Sequence, residues 1–515
     1  MNIMENKQEL LLLICILVFY ALFILYNIYL LPPWFDEIIS LLHISGNATP
    51  AWESGLQQAS VHKAQFQGTT SFQHILHSSI TADVHPPIYF FVTLAWAKLF
   101  GNEIESIRLI SLFAILVTAL LLYSTAETYK QRSGIITLLL FLSFPVTTWA
   151  AVNARDYALS LVFLMFVFFF STKALSLEHA SKKDNKKIDY CIIVTCLFIG
   201  ISFLTHYFTI LVSAFVYAFL VINFHKTNLP SLVKGGVLMA ICALLVIPIL
   251  TIHLGARSNQ YSGFLSFSYE IKALLQSVFS IFADRPNFFT SHISFEVFYF
   301  LLFLFASIFA IKEYNNKTYL GLFYILLSAL FIASLFILFY FTNKSLTVAP
   351  LNRYTIFIAP LLALIIGRLI TSLLNKNKIV GLTVSLILCI FITSTWVDGK
   401  INAPPWGLYS RFNAIKSYIE DVGSSNTLFL IPKGYGRGIP GTWVYTLDGN
   451  QSVIIVENES DIDIYRSEFF SADVLIIAND RTKKLNKKLS ELRQDLKDRQ
   501  YTLVKVGNTY IWEKD

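Results

Sequence analysis

Charged residues are scarce in this sequence. Asp, Glu, Lys and Arg make up 14% of its 515 residues, where soluble domains carry roughly 25%. Length alone would allow about three soluble domains. A hydrophobic share of 55% and a mean hydropathy of +0.59 exclude that reading and point to a polytopic membrane protein. Cysteine is also rare. Cys15, Cys191, Cys196, Cys242 and Cys389 all fall in apolar runs, which argues against a disulfide framework and a cysteine-based zinc site. No basic stripe with interleaved aromatics occurs, so the net charge of +7 does not imply a nucleic-acid partner. No nucleotide-binding fingerprint is present either. The stretch KGYGRG (Lys433–Gly438) does not follow a strand and open a helix with the spacing a phosphate loop requires and is expected to be an ordinary turn.

What is present is a series of apolar runs long enough to cross a bilayer. They lie at 9–31, 106–127, 133–150, 157–175, 188–205, 207–224, 234–252, 293–312, 318–341, 354–374 and 378–397. The first ends in Pro-Pro without a small-residue cleavage site and reads as a retained span, not a signal peptide. A further run, 86–100, is short for a span. Short cytoplasmic loops collect Lys and Arg. With 86–100 lying in the outer interface and the N-terminus cytoplasmic, the inner loops and span ends gain Lys130, Arg132, Lys173, Lys182, Lys183, Lys186, Lys187, Lys226, Lys234, Lys312, Lys317, Lys376 and Lys378. The expected fold class is therefore a polytopic α-helical membrane protein of about eleven transmembrane helices, multi-pass in the cytoplasmic (inner) membrane. Residues 1–400 form its membrane domain, whose outer loop 32–105 carries interfacial helices. Residues 401–515 follow as a small extracytoplasmic α/β domain. In that domain TLFLIP, SVIIVE and DVLIIAN read as strands, about 480–499 as a charged helix, and the end as a β-hairpin.

The polar residues beside the spans gather on the expected outer face. Asp36 and Glu37 occur in WFDE, Asp83 and His85 in DVHPP, Arg155 and Asp156 in NARDY, and His206 and Tyr207 in THYF. Arg257 follows the seventh span, and Arg353 and Tyr354 stand in NRYTIF. Each has an ordinary explanation alone: a helix cap for the carboxylates, an ion pair for Arg155–Asp156, a snorkelling arginine for Arg353. Ionisable groups at membrane depth are nonetheless functional candidates, and their shared side strengthens the case. A carboxylate can act as general base on an attacking hydroxyl, while cations and histidines stabilise a departing phosphate. The matching chemistry is group transfer from a lipid phosphate to an acceptor hydroxyl. Two other classes remain: a transporter or flippase for lipid-linked sugars, and an oligosaccharide polymerase or ligase.

WFDE, DVHPPIYFFVTLAWAKLFG, NARDYALSL and THYF together resemble the bacterial polyprenyl-phosphate-dependent membrane glycosyltransferases of the GT-C fold, related to protein O-mannosyltransferases and aminoarabinose transferases. The resemblance covers about the first 210 residues and returns near residue 353. It implies an inverting hexosyl- or pentosyltransferase of cell-envelope biogenesis. Asp36 would be the general base and Glu37 its support. Asp83 and His85 would shape the donor site. Arg155, His206, Tyr207, Arg257, Arg353 and Tyr354 would hold phosphate or sugar. The implied partners are a polyprenyl-phosphate sugar, an acceptor glycan, lipid or protein, and the bilayer. No cofactor is assigned. Relatives suggest a divalent cation near Asp83 and His206, for which two residues are too few. Asp156 departs from the family pattern, where an apolar residue is common, and is expected to pair with Arg155.

Overall fold

A computed structural model describes residues 3–53, 55–81, 85–128, 133–178, 184–256, 320–341, 356–379, 426–432, 438–477, 483–506 and 509–514, with a few single residues besides. Its first helices are α1 (Ile3–Leu30), α2 (Phe35–Ser45), α3 (Ala59–Lys63), α4 (Phe72–Thr81), α5 (Ile88–Phe100) and α6 (Ile104–Glu127). There follow α7 (Gly134–Ser143), α8 (Pro145–Ala151), α9 (Asp156–Glu178), α10 (Asn185–Phe203), α11 (Thr209–Phe224) and α12 (Leu229–Ala256). Beyond these come α13 (Leu320–Phe341) and α14 (Ala359–Lys376). Five helices are long and apolar enough to cross a membrane, or six if the bent pair α7–α8 is one span, among the described residues. The chain is thus a polytopic helical membrane protein. The expected spans 293–312 and 378–397 lie outside the described residues, apart from isolated positions.

The run 133–150, expected to be one span, is broken. α7 and α8 meet at 72°. Pro145 has no N–H to donate and disfavours helical backbone before it, and Phe144 accordingly turns extended at φ −64 and ψ 129. Hydropathy sees a continuous run there because both halves are apolar.

The chain forms two compact units. The first comprises Met1–Ile28, Asp83–Tyr89 and Arg108–Gly399. Within it α10 packs between α9 and α12, and α14 lies against α7 and α13. The α10–α12 approach is close because the two helices exchange small residues. Cys196 sits on Gly235 and Cys242 on Gly200, each with its sulfur 2.6 Å from where a glycine Cβ would stand. Arg108, buried in α6, donates to the carbonyl of Ile28 at 2.9 Å and so satisfies an end of α1 that has no intrahelical partner.

The second unit comprises Tyr29–Ala82, Phe90–Ile107 and Lys400–Asp515. Its mixed sheet contains β1 (Gly55–Gln58), β2 (Thr427–Pro432), β3 (Ser452–Val456), β4 (Val474–Ile477), β5 (Tyr501–Val506) and β6 (Thr509–Lys514), in the order β1-β3-β2-β4-β6-β5. β3, β2 and β4 run parallel. Their residues are buried on both faces, as parallel strands usually are. One face, through Leu428, Leu430, Ile454 and Leu475, packs against the amphipathic helix Lys483–Asp498. The strands, the charged helix and the terminal hairpin stand where the sequence places them. Two features differ from the reading of the sequence. KGYGRG does lie between a strand, β2, and a helix, α15 (Gly438–Thr446), though residues 433–437 are outside the described residues. The loop 32–105 also contributes β1, which pairs antiparallel with β3 in the register Gly55↔Ile455.

Candidate functional site

In the first unit the sequence candidates converge at two interhelical turns. α10 ends at Phe203, and the chain turns through Thr205 and His206 into α11. His206 is fixed on both sides: its N–H donates to the Ser202 carbonyl at 2.9 Å, and its own carbonyl accepts from the Thr209 N–H at 3.1 Å. Its ring Nδ1 accepts from the Phe208 N–H at 3.2 Å. In the neutral ring that bond leaves the proton on Nε2, which makes Nε2 a donor. The ring is packed among aromatics, 5.5 Å from Tyr157 and 5.0 Å from Phe357 between centroids. Tyr207 points to another neighbour, Phe203, at 6.2 Å.

The second turn links α8 to α9. Asn153 holds it: Ser111 Oγ donates to its carbonyl, and its side-chain amide donates to the Trp149 carbonyl. Arg155 leaves this turn 3% exposed, and its Nη2 lies 3.1 Å from Nε2 and 3.3 Å from Nδ1 of His85. The rings of His85 and His206 stand edge to face at 6.3 Å. Arg155, His85 and His206 therefore form one cluster, with Arg155 and His206 buried and His85 partly exposed.

Asp156 does not pair with Arg155, contrary to the expectation. Its carboxylate is 1% exposed, and neither oxygen has a hydrogen-bond partner among the described residues. Neighbouring residues at a helix start point to different faces, so adjacency in sequence was a poor guide to contact. Asp156 and the aromatic wall of Tyr157 are the site features that the sequence reading undervalued. A buried carboxylate with no partner among the described residues is costly and functionally informative.

In the second unit Asp36 and Glu37 lie in the first turn of α2, the helix end whose dipole favours negative charge. Asp36 is 7% exposed and Glu37 fully buried. Glu37 Oε2 accepts from the Trp34 N–H at 2.8 Å, so this carboxylate closes the helix start. Gly46 ends α2 at φ 91, a conformation that favours glycine. Further along α2, His43 is buried, bonded to Ser78 at 3.1 Å and stacked on Phe90 at 4.7 Å.

Asp83, Arg257, Arg353 and Tyr354 lie outside the described residues. Among the described residues no three His, Cys, Asp or Glu side chains are placed to share a metal ion. The guanidinium of Arg155 against His85 makes that part of the site unfavourable for a cation as well.

Apolar spans, a mixed-sheet unit and an Arg–His cluster at the turns between helices define a membrane protein with a polar site built into its helical part. Residues 84–252, which include that cluster, match the family described as dolichyl-phosphate-mannose-protein mannosyltransferase. The match bears out the resemblance read from the sequence. Comparison with curated proteins gives no match. Among solved structures, ArnT from Cupriavidus metallidurans in the apo state is 11% identical, with 99% of this chain and 98% of that chain covered at a TM-score of 0.48. The same protein bound to undecaprenyl phosphate gives 12% identity, coverage of 97% of each chain and a TM-score of 0.45. The oligosaccharyltransferase of Archaeoglobus fulgidus, tethered to an acceptor peptide, is 12% identical over 98% of this chain and 74% of that chain, with a TM-score of 0.46.

Proposed function

We propose that the protein is an inverting glycosyltransferase that moves a sugar from a polyprenyl-phosphate donor to an acceptor hydroxyl at the outer face of the cytoplasmic membrane. The observation that carries this reading is the Arg155–His85–His206 cluster inside the segment that matches a lipid-phosphate sugar transferase family. The Lys-rich loops support the orientation, with the N-terminus inside and residues 401–515 outside.

In the proposed step Asp36 takes the proton of the acceptor hydroxyl, and the acceptor oxygen attacks the anomeric carbon. The bond from that carbon to the phosphate oxygen breaks, and polyprenyl phosphate leaves with the electron pair. The anomeric configuration inverts. Arg155 and the Nε2–H of His206 donate to the phosphate oxygens as charge builds on them. Asp156, whose oxygens have no partner among the described residues, accepts from sugar hydroxyls. Glu37 keeps the start of α2 in place. Asp83, Tyr207, Arg257, Arg353 and Tyr354 complete the donor site on the strength of the sequence resemblance alone.

The test is donor turnover by purified protein supplied with a panel of polyprenyl-phosphate sugars and cell-envelope acceptors. Asp36→Asn should lower kcat by about 10²–10⁴-fold, the usual worth of a general base, while donor binding persists. Unchanged transport of lipid-linked sugar by the same variant, with no transfer by the wild type, would instead establish a flippase.

A further inference from the structure

The helix that carries Asp36 is held by the C-terminal segment of the chain. Gly441 lies within α15, and its surroundings have no room for a side chain. An added Cβ would stand 2.5 Å from Ile38 Cγ2, 3.2 Å from Phe66 Cζ and 3.4 Å from Trp52 Cη2. Glycine is a poor helix former, and Gly441 has no positive φ that would call for it. Its use here is explained by close approach. Ile38 is fully buried and follows Asp36 by two residues in the same short helix.

The contact belongs to a continuous docking face. One turn after Gly441, on the same side of α15, Tyr445 meets Phe66 edge-on at 5.5 Å. The Tyr445 hydroxyl accepts from the Ile104 N–H at 3.1 Å. α15 also packs against α3, and β1 joins the sheet through β3. The C-terminal segment and the loop that follows α1 are thus one packed body with α2 inside it.

We propose that Gly441 is a positioning residue for the transfer reaction: the bare backbone of α15 at this point sets where α2 lies and hence where Asp36 is presented. The inference rests on Asp36 being the base. A methyl group at 441 must displace Ile38, and α2 with it. A misplacement of about 1 Å in a reacting group can cost on the order of a hundredfold in rate.

The test is a double-mutant cycle in the full-length protein: Gly441→Ala, Ile38→Ala, and both together. Gly441→Ala is expected to lower kcat by roughly ten- to a hundredfold, with KM for the polyprenyl-phosphate sugar within about twofold, since the Arg155 cluster is untouched. Ile38→Ala removes the opposing methyl groups, so the double variant should recover most of the loss. Should Gly441→Ala not fold, Ile38→Ala against the double variant carries the test: the new methyl should fill the space and raise kcat. Equal kcat in Gly441→Ala and wild type, or no recovery in the double variant, overturns the proposal. Asp36→Asn measured alongside separates the two readings. Full turnover there overturns the base assignment itself, whereas an inactive Asp36→Asn beside a fully active Gly441→Ala overturns only the coupling.

Discussion

Arg155 and Asp156 are adjacent in sequence yet answer to different partners. The guanidinium of Arg155 is committed to the His85 side of the cluster, and charge-assisted hydrogen bonds of this kind contribute about 1.5–3 kcal/mol each. Arg155→Ala should therefore weaken donor binding by roughly ten- to a hundredfold, measured by titration with polyprenyl phosphate. Arg155→Lys should recover only part of it, because a point charge cannot reproduce the planar fork. Asp156 makes the opposite prediction for stability. Its buried carboxylate has no partner among the described residues, so Asp156→Asn should leave thermal stability unchanged or raise it, while turnover falls more than about tenfold. A fall in both quantities would make Asp156 a structural residue. The ionisable candidates were legible in the sequence because each interrupts or borders an apolar run. Their pairing was not, since side-chain direction at a helix start depends on where the helix begins.

At the scale of elements, the buried histidine of α3 makes the second unit sensitive to acid. His62 is 1% exposed, and burial pushes its pKa below the usual histidine range, with Glu53 opposing. Above about pH 6.5 the ring is neutral in both folded and unfolded chains, and the full stability is present. As pH falls below that value the unfolded chain takes up the proton first, so stability drops until the folded-state pKa is passed. His62→Gln should flatten this slope, as read from thermal unfolding of the purified protein between pH 7 and 5. Elements were unevenly legible. Strands β2 to β4 announce themselves by short apolar runs bounded by polar residues. β1 reads Gly-Leu-Gln-Gln, without β-forming residues, and exists because β3 offers an edge to pair with. The bend at Pro145 was visible as a residue but masked by the hydrophobicity on both sides.

At the scale of the molecule, the second unit is assembled from chain segments far apart in sequence. Sequence reasoning divides the chain at residue 400 because the composition changes there. Contacts group Tyr29–Ala82 and Phe90–Ile107 with the residues beyond that point. Composition reports which solvent a segment meets, not which segment it packs on. A chain truncated after residue 400 should lose transfer activity, and limited proteolysis should cut within 46–71, which the remainder of the chain covers through β3 and α15.

The pairing of β1 with β3 also sets a schedule for biogenesis. Gly55 finds its partner Ile455 only after 400 further residues have been made. At about 5–20 residues per second that is a delay of roughly 20–80 s. Until then the segment bearing Asp36 lacks its strand partner, so transfer by the nascent chain should not begin before β3 has been made.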